Sequence, residues 1–247
     1  TGPRTCHINY CHTPLRFAWG YEEYMRHNQF NLLYRAVLSR LIPRIKAWDK
    51  ASSQRVDYYI ANSQTVAQRI KEFYNRQSEI IFPPIDTSKF KPSSALGDYF
   101  LIISRLNAQK RIDLAIEAFN LLKKPLKIIG QGPVKKKLER IAHSNIQFLG
   151  RLPDDKIADY LSQCQALIFP GHEDLGMVPL EAQAAGRPVI AYKAGGALET
   201  VIDGETGLFF DEPTLNSLIK PVENFETMKF DKLKIREQAL KFDKEVF

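Results

Sequence analysis

Cysteines, long apolar runs and metal-ligand clusters are all scarce in this sequence of 247 residues. The three cysteines are odd in number and irregularly spaced, which argues against a disulfide framework and makes the reducing cytoplasm the expected location. No apolar run approaches the roughly 20 residues of a membrane-spanning helix, and no signal-peptide pattern opens the chain. An Asp-x-Asp motif and a histidine cluster with ligand spacing are also lacking, so we predict neither a metal nor a cofactor.

Acidic residues are scarce in the first part of the chain. Residues 1–91 contain 14 lysines and arginines against 7 aspartates and glutamates, whereas the remaining residues contain 21 of each. The net charge of +7 therefore comes from the first part. A basic face of this kind attracts phosphates, anionic lipid or nucleic acid, although an ordinary solvated surface accounts for it equally well.

Short apolar runs alternate with helical patterns from residue 99 onward. The runs are near-continuous in apolar residues, which is typical of parallel strands that are covered on both faces. Six strands are predicted on this basis, at residues 99–104, 126–130, 146–150, 166–170, 188–192 and 207–210. The pattern predicts a doubly wound α/β domain over residues 97–247.

The first part of the chain repeats this pattern only in part. Strands are predicted at "TCHINYCH", "VDYYIANS" and "SEIIFPPID", with a mostly helical, Arg-rich and Tyr-rich stretch after the first of them. Three strands are too few for a complete sheet of this type. Residues 1–96 are therefore predicted to be an incomplete α/β domain plus a linker, the polar stretch 86–98.

Unusual polar residues follow the predicted strands of the second domain. Arg105 and Lys110 lie in the first strand-to-helix loop, and Gly130 and Gly132 lie in the second. Because ligands bind outside the carboxyl ends of parallel strands, these loops are expected to meet at one site. The two cations are candidates for holding a diphosphate.

The loop "GHEDLGMVPLEAQAAG" carries two carboxylates with seven residues between them, Glu173 and Glu181. Pro179 suits a first helical turn, and the backbone N–H groups before it lack helical acceptors and form an anion site. Those N–H groups belong to Gly176, Met177 and Val178. Carboxylates beside such a site accept hydrogen bonds from sugar hydroxyls. Each residue alone could be an ordinary surface residue; their convergence at strand ends favours a binding site.

Three segments of the second domain carry a family resemblance: "SRLNAQKRIDLAIEAF", "FLGRLPDDKIADYLSQC" and "FPGHEDLGMVPLEAQAAGRPVIAYKAGGALETVIDGETGLFF". They resemble the donor-binding half of family-4 retaining glycosyltransferases of the GT-B fold. "YCHTPLRFAW", "YIANSQTVAQRI" and "IIFPPIDTSKF" resemble the acceptor-side domain and the interdomain linker of that family. The resemblance implies two Rossmann-like, doubly wound domains facing a cleft, the first of them incomplete here.

The resemblance also implies roles for individual residues. Arg105 and Lys110 would hold the donor diphosphate as it leaves, and Glu173 would contact hydroxyls of the transferred sugar. Glu181 would bind the ribose, and His12 would line the reaction centre from the other domain. The remaining implied donor contacts are the phosphate-binding amides of Gly176, Met177 and Val178 and, for the base, Gly150 and Arg151. Gly130 is a further candidate donor contact, because of its place in the second strand-to-helix loop.

The chain departs from the family pattern at both ends. A complete member begins with a strand and a Gly-rich loop near the donor phosphates, and that segment is not present in this sequence. The chain stops at "KFDKEVF", near the point where the family's last helix crosses back to the first domain. We therefore expect a fragment of a longer protein.

The reaction implied is a metal-independent, retaining transfer of a hexose from a nucleotide diphosphate sugar to a glycan or lipid-linked acceptor. "YCHTPLRFAW" and "HEDLGMVPLEA" resemble bacterial mannosyltransferases of polysaccharide biosynthesis, which makes GDP-mannose the first choice of donor and leaves UDP-sugars open. The basic stretch from Arg16 to Arg55 fits peripheral contact with the inner membrane face, or merely a helical surface framing the cleft.

Two other classes of function compete with this interpretation. A dinucleotide-dependent oxidoreductase needs a G-x-G-x-x-G turn, and "IIGQGPVKKK" has no third glycine. A nucleic-acid partner is not predicted, because the aromatic residues lie in apolar runs and form no evident stacking surface. A fragment that binds a nucleotide sugar without turnover remains an alternative.

The stretch "CHINYCHTP" has two Cys-His pairs, yet its spacing is poor for zinc. Neighbours on a strand point to opposite faces, so the four side chains cannot converge. We expect Cys6 and Cys11 to be small buried core residues and His7 to be a hydrogen-bonded interior histidine. His12, at the carboxyl end of the strand, is the candidate site residue.

Overall fold

The computed structural model describes residues 5–22, residue 25 and residues 32–247, with only the backbone given at 32 and 33. Part of the predicted basic helical stretch, at residues 23–24 and 26–31, lies outside the described residues. Contacts divide the chain into two compact units, Thr1–Pro83 and Pro84–Phe247. The division falls 13 residues before the domain boundary predicted at 96/97.

The described part of the first unit contains a parallel sheet in the order β1-β2-β3. Its strands are β1 (Ile8–Cys11), β2 (Tyr58–Ala61) and β3 (Glu79–Ile80). Its helices are α1 (Arg16–Trp19), α2 (Leu32–Ser53) and α3 (Gln64–Arg69), the last followed by a π-helical turn, Ile70–Tyr74. The apolar core of this unit is one cluster, which includes Cys11, Tyr59, Val66 and Ile70.

A half-buried polar contact joins the helices of the first unit. Trp19 Nε1 and Tyr74 OH both donate to Asp49 Oδ2, each at 2.7 Å. The Trp19 ring also stacks on Phe73 at a centroid separation of 4.5 Å. One carboxylate on α2 therefore connects α1 to the π-helical turn.

The cysteine prediction is right for Cys11 and wrong for Cys6. Cys11 is buried, whereas Cys6 is exposed. Among the described residues β1 pairs only with β2, and Ile8 at its start is 59% exposed. Cys6 precedes this strand, at the exposed edge of the described sheet. His7 is only half-buried, and its backbone N–H donates to Asp57 Oδ2 at 2.7 Å.

The second unit contains a six-stranded parallel sheet in the order β6-β5-β4-β7-β8-β9. Its strands are β4 (Phe100–Ile103), β5 (Leu126–Ile129), β6 (Ile146–Gly150), β7 (Leu167–Phe169), β8 (Val189–Tyr192) and β9 (Gly207–Phe210). Its helices are α4 (Ile112–Leu122), α5 (Lys135–Ile141), α6 (Asp154–Gln163), α7 (Met177–Ala184), α8 (Ala197–Thr200), α9 (Leu215–Asn224) and α10 (Lys232–Leu240). The predicted doubly wound α/β fold is confirmed.

The six-stranded sheet has a core on each face. Phe100 and Ile102 of β4 belong to one apolar cluster, and Leu101, between them, belongs to the other. Side chains alternate across a strand, so both faces of β4 are buried under helices. This explains why the strands have continuous apolar sequences. No helix in the described ranges is long and apolar enough to cross a membrane.

The stretch predicted as a linker packs on the second unit. Ile85 forms a parallel bridge with Asp243, and the Phe90 side chain is buried. Lys232 Nζ donates to the Ser93 carbonyl at 3.1 Å, and Arg187 Nη2 donates to the Ala95 carbonyl at 3.1 Å. Hydrogen bonds from Lys232 and Arg187 to backbone carbonyls therefore hold residues 84–96 against the second unit, and the boundary between the two units lies at Pro83/Pro84.

Candidate functional site

The strand order of the second unit reverses between β4 and β7. Helices that follow neighbouring strands on the two sides of such a point leave the sheet in opposite directions, which opens a crevice at the carboxyl ends. The loop after β4 carries Arg105 and Lys110, and the loop after β7 carries Glu173. The topology therefore brings residues 60 or more positions apart to one crevice.

Lys110 and Glu173 are in direct contact. Lys110 Nζ lies 2.6 Å from Glu173 Oε1, and the two side chains are only 20% and 22% exposed. Lys110 ends a 3₁₀ turn, and Arg111 after it takes a left-handed conformation with φ of 50°. Arg105 lies earlier in the same loop and is exposed. The structure thus brings together one predicted diphosphate ligand and the predicted sugar ligand.

The N-terminus of α7 forms another wall of this region. The helix begins at Met177, and Gly176 before it has φ of 83°. A Cβ at Gly176 would lie 2.7 Å from Cζ of Phe169, so a side chain cannot be accommodated without movement. The first N–H groups of a helix have no intrahelical acceptors, and Pro179 in the first turn has no backbone N–H group. The amides of Gly176, Met177 and Val178 are therefore arranged for an anion.

Glu181 lines a cavity of about 190 Å³, one turn into α7. Lys89 and Asp86, from the connector formed by residues 84–96, and Asp154 from α6 also line it. Burial raises the pKa of Glu181 above its usual range, the Asp154 charge adds to this, and Lys89 opposes it. A carboxylate in a small polar-edged cavity is suited to accept hydrogen bonds from a diol.

Gly130 supports the Arg105 loop. A Cβ at Gly130 would lie 1.9 Å from the Ser104 carbonyl oxygen, and φ there is 142°. Gly132 repeats this close approach, since its Cβ would lie 2.2 Å from the Leu106 carbonyl oxygen. These glycines have a structural role beside the site, and donor contact by Gly130 stays a prediction.

Gly150 and Arg151 lie farther along the sheet, at the end of β6. The Gly150 carbonyl accepts the Gly130 N–H at 2.7 Å, which places this position beside the second loop. Arg151 is exposed. Gly150 and Arg151 therefore lie beside Gly130. Strand β5 separates them from β4, the strand that the Arg105 loop follows.

Sequence reasoning missed the contribution of the loop after β8. The Gly196 N–H donates to the Glu173 carbonyl at 2.9 Å. Added Cβ atoms would lie 2.2 Å from the Glu173 carbonyl oxygen at Gly195 and 2.1 Å from the Leu175 Cα at Gly196. The adjacent glycines in "YKAGGALET", directly after a predicted strand, were the available signal. They fix the backbone that presents Glu173.

His12 lies in the first unit, at the carboxyl end of β1. It is exposed, and its ring meets Tyr10 edge to face at a centroid separation of 5.4 Å. The residues predicted to bind the donor belong to the second unit, so the place of His12 at a reaction centre stays a prediction. Within the described ranges, no group of three or more His, Cys, Asp or Glu side chains could hold a metal ion.

The family model described as "Glycosyl transferases group 1" matches residues 85–242. An uncharacterized glycosyltransferase of Methanocaldococcus jannaschii is 30% identical over 176 residues, which cover 68% of this chain and 49% of that protein. A GDP-mannose-dependent alpha-(1-6)-phosphatidylinositol monomannoside mannosyltransferase of Mycolicibacterium smegmatis is 30% identical over 170 residues, covering 57% and 44%. The chain spans about half the length of the curated relatives it matches.

Solved structures show the same fold. Sucrose-phosphate synthase from Thermosynechococcus elongatus aligns with a TM-score of 0.71 at 22% identity, over 81% of this chain and 58% of that one. HepE from Anabaena, in complex with UDP and glucose, aligns with a TM-score of 0.68 at 21% identity, over 79% and 63%. These neighbours are similar in architecture.

Proposed function

The chain belongs to the group 1 glycosyl transferases and has the GT-B fold, and from this we propose that it is a retaining hexosyltransferase whose second unit binds the donor. The donor would be a nucleotide diphosphate sugar, and the acceptor a glycan or a lipid-linked sugar. The observation that carries the proposal is the convergence of Lys110, Glu173 and the α7 N-terminus at the strand-order reversal.

The proposed mechanism places positive potential where negative charge develops. As the bond from the sugar to the diphosphate breaks, Arg105, Lys110 and the first amides of α7 stabilise the departing anion. These groups would do the charge neutralisation for which other enzymes use a divalent metal. The acceptor hydroxyl attacks the oxocarbenium-like carbon from the leaving-group face, and the departing phosphate takes its proton, so no protein nucleophile is needed.

The other predicted residues take supporting roles in this proposal. Glu173 accepts hydrogen bonds from hydroxyls of the transferred sugar, and Glu181 accepts them from the ribose in its cavity. His12 would line the reaction centre from the first unit. Gly150 and Arg151 would hold the base.

The donor proposed first is GDP-mannose. Several relatives are mannosyltransferases by name, including the GDP-mannose-dependent one from Mycolicibacterium smegmatis. A UDP-sugar is the alternative, because HepE from Anabaena holds UDP and glucose on the same fold. Calorimetric titration of this chain with GDP-mannose and UDP-glucose separates the two.

Arg105→Ala tests the diphosphate site. We expect it to weaken nucleoside diphosphate binding by about tenfold, because it removes charged donors to the phosphates. Arg140→Met, an exposed arginine on α5, is the matched control and should bind as the unchanged chain does. Equal affinity of the Arg105→Ala variant and the unchanged chain would contradict the site. Binding without transfer to any acceptor would support the non-catalytic alternative.

We also propose that the protein works in the cytoplasm, in bacterial polysaccharide synthesis, with peripheral contact to anionic lipid. Tyr34, Val37 and Leu41 lie on one face of α2 at helical spacing and are 42%, 48% and 41% exposed. Arg40 and Arg44 beside them are exposed. Residues 32–48 contain four basic residues and no acidic one. Such a face combines apolar insertion with attraction to anionic headgroups.

Vesicle flotation tests this contact. The chain should float with phosphatidylcholine vesicles that contain phosphatidylglycerol and not with phosphatidylcholine alone. The double variant Val37→Ser/Leu41→Ser should lose flotation, whereas Leu121→Ser, at a 65% exposed position on α4, should retain it. Flotation unaffected by the double variant would exclude this face as the contact.

A further inference from the structure

The contact between Lys110 and Glu173 is built into the loops around it. The Lys110 N–H donates to the Asn107 carbonyl at 3.1 Å, and a Cβ at Gly171 would lie 3.1 Å from Lys110 Cα. The Glu173 carbonyl accepts the Gly196 N–H at 2.9 Å. Since both backbones are fixed and both side chains are mostly buried, little conformational entropy opposes the pair.

A diphosphate and the Glu173 carboxylate are both anions, and both would bind the ammonium group of Lys110. Glu173 Oε1 lies 2.6 Å from Lys110 Nζ, well inside hydrogen-bond distance. A phosphate oxygen brought to Nζ would meet the carboxylate at close range, where like charges repel strongly. Either the carboxylate moves away or the phosphate binds less tightly.

We infer that Glu173 competes with the donor diphosphate for Lys110, so that diphosphate binding releases the Glu173 carboxylate toward the sugar. The inference rests on the proposed function and adds a second role to Glu173. The residue limits affinity for the nucleoside diphosphate, and it contacts the hexose only after Lys110 has been taken by phosphate. Product diphosphate would then leave more readily, because Glu173 is ready to replace it.

Arg105 lacks this competition. In the described part of the chain no carboxylate lies within ion-pair distance of Arg105, and its side chain is exposed. It can therefore contact an incoming phosphate directly, while Lys110 must first exchange partners. Removing the Glu173 charge is therefore expected to strengthen phosphate binding through Lys110 and to leave binding through Arg105 unchanged.

Titration with GDP and with UDP, free of sugar, tests the competition. Glu173→Gln keeps the shape of the side chain and removes its charge, so it should bind the preferred diphosphate about threefold to tenfold more tightly than the unchanged chain. Glu173→Ala should act in the same direction. Glu117→Gln, which removes an exposed carboxylate from α4 in the same unit, is the matched control and should change nothing. Thermal unfolding of each variant confirms that it is folded.

A double-mutant cycle assigns the effect to the pair. In a Lys110→Met background, Glu173→Gln should no longer tighten binding, because the shared cation is gone. Unchanged or weaker binding by both Glu173 variants would overturn the competition while leaving the donor site intact. An effect that persists without Lys110 would overturn it too, since it would then be a general charge effect. If neither diphosphate binds the unchanged chain or any variant, the donor site itself is refuted and the competition with it.

Discussion

The two units of this protein differ in how completely their sheets are covered. In the second unit the six-stranded sheet has an apolar cluster on each face, and all three residues of the central strand β7 are buried. In the described part of the first unit three strands share one cluster, and Ile8 and Tyr58 are 59% and 65% exposed. The residues predicted to bind the donor therefore lie on a sheet that is covered on both faces, whereas His12 follows a strand whose described neighbours leave it largely exposed.

The tryptophans allow the two units to be followed separately. Trp19 and Trp48, the only tryptophans in the sequence, both lie in the first unit. Tryptophan fluorescence during urea unfolding therefore reports on the first unit. Far-ultraviolet circular dichroism reports on both units, so a transition that it shows and fluorescence does not is assigned to the second unit.

The largest effect is expected from Gly130→Ala. A Cβ there would lie 1.9 Å from the Ser104 carbonyl oxygen, so the β4 and β5 loops would have to separate. We expect the second unit to lose about 3 kcal/mol or more of unfolding free energy, with the fluorescence transition unchanged. Gly150→Ala is the control: φ is 71° and no atom lies within 4 Å of the added Cβ, so the cost should be about 1 kcal/mol. Equal losses in the two variants would refute the close-approach argument.

Arg236→Met tests whether the connector belongs to the second unit. Arg236 Nη1 donates to the Phe90 carbonyl at 2.6 Å and also to the Ala184 carbonyl, which links the connector to the end of α7. Removing the donors leaves half-buried carbonyls without partners and should destabilise the second unit by about 2 kcal/mol. Arg140→Met, on the exposed side of α5, should cost nothing measurable. A loss confined to the fluorescence transition would instead assign the connector to the first unit.

The sequence predicted the second unit well and the details of its site only in part. Apolar runs such as "FLII" and "LKII" are direct consequences of burial on both faces, so the parallel sheet was predictable. The contact between Lys110 and Glu173 was not, because it depends on the strand order that places β7 beside β4. The polar composition of residues 86–98 predicted a linker, and the burial of Phe90 within it was not predicted.

The first unit was harder to predict for a related physical reason. Alternation in the predicted strand "TCHINYCH" assigns Cys6 to one face, but it does not say whether a second layer covers that face, and the observed strand begins only at Ile8. Burial of Cys6 was therefore predicted wrongly, while Cys11, which faces the cluster, was predicted correctly. The role of Gly195 and Gly196 in holding Glu173 was missed for a different reason, since close approach between loops has no periodic signal.

Glu181→Gln is expected to stabilise the second unit. When the folded-state pKa of a carboxyl is raised, the protein loses unfolding free energy as the pH rises from the unfolded-state pKa through the folded-state pKa. At pH 7 the neutral amide should therefore be more stable, by on the order of 1 kcal/mol. The advantage should shrink toward pH about 4, where the unchanged carboxyl is protonated. Melting temperatures at the two pH values check this, and a less stable variant at pH 7 would show that the charge is well compensated.

The smallest effect is expected from Ile8→Ala, on the edge strand of the first unit. With 59% of its surface exposed, Ile8 gives up little contact, and the fluorescence transition should shift by less than about 0.5 kcal/mol. Leu101→Ala, at a fully buried position of β4, is the matched variant and should cost the second unit about 3 kcal/mol. A cost at Ile8 that approaches the cost at Leu101 would mean that β1 is covered in solution. The contrast between the two units would then disappear, because the edge of the first sheet would be as buried as the centre of the second.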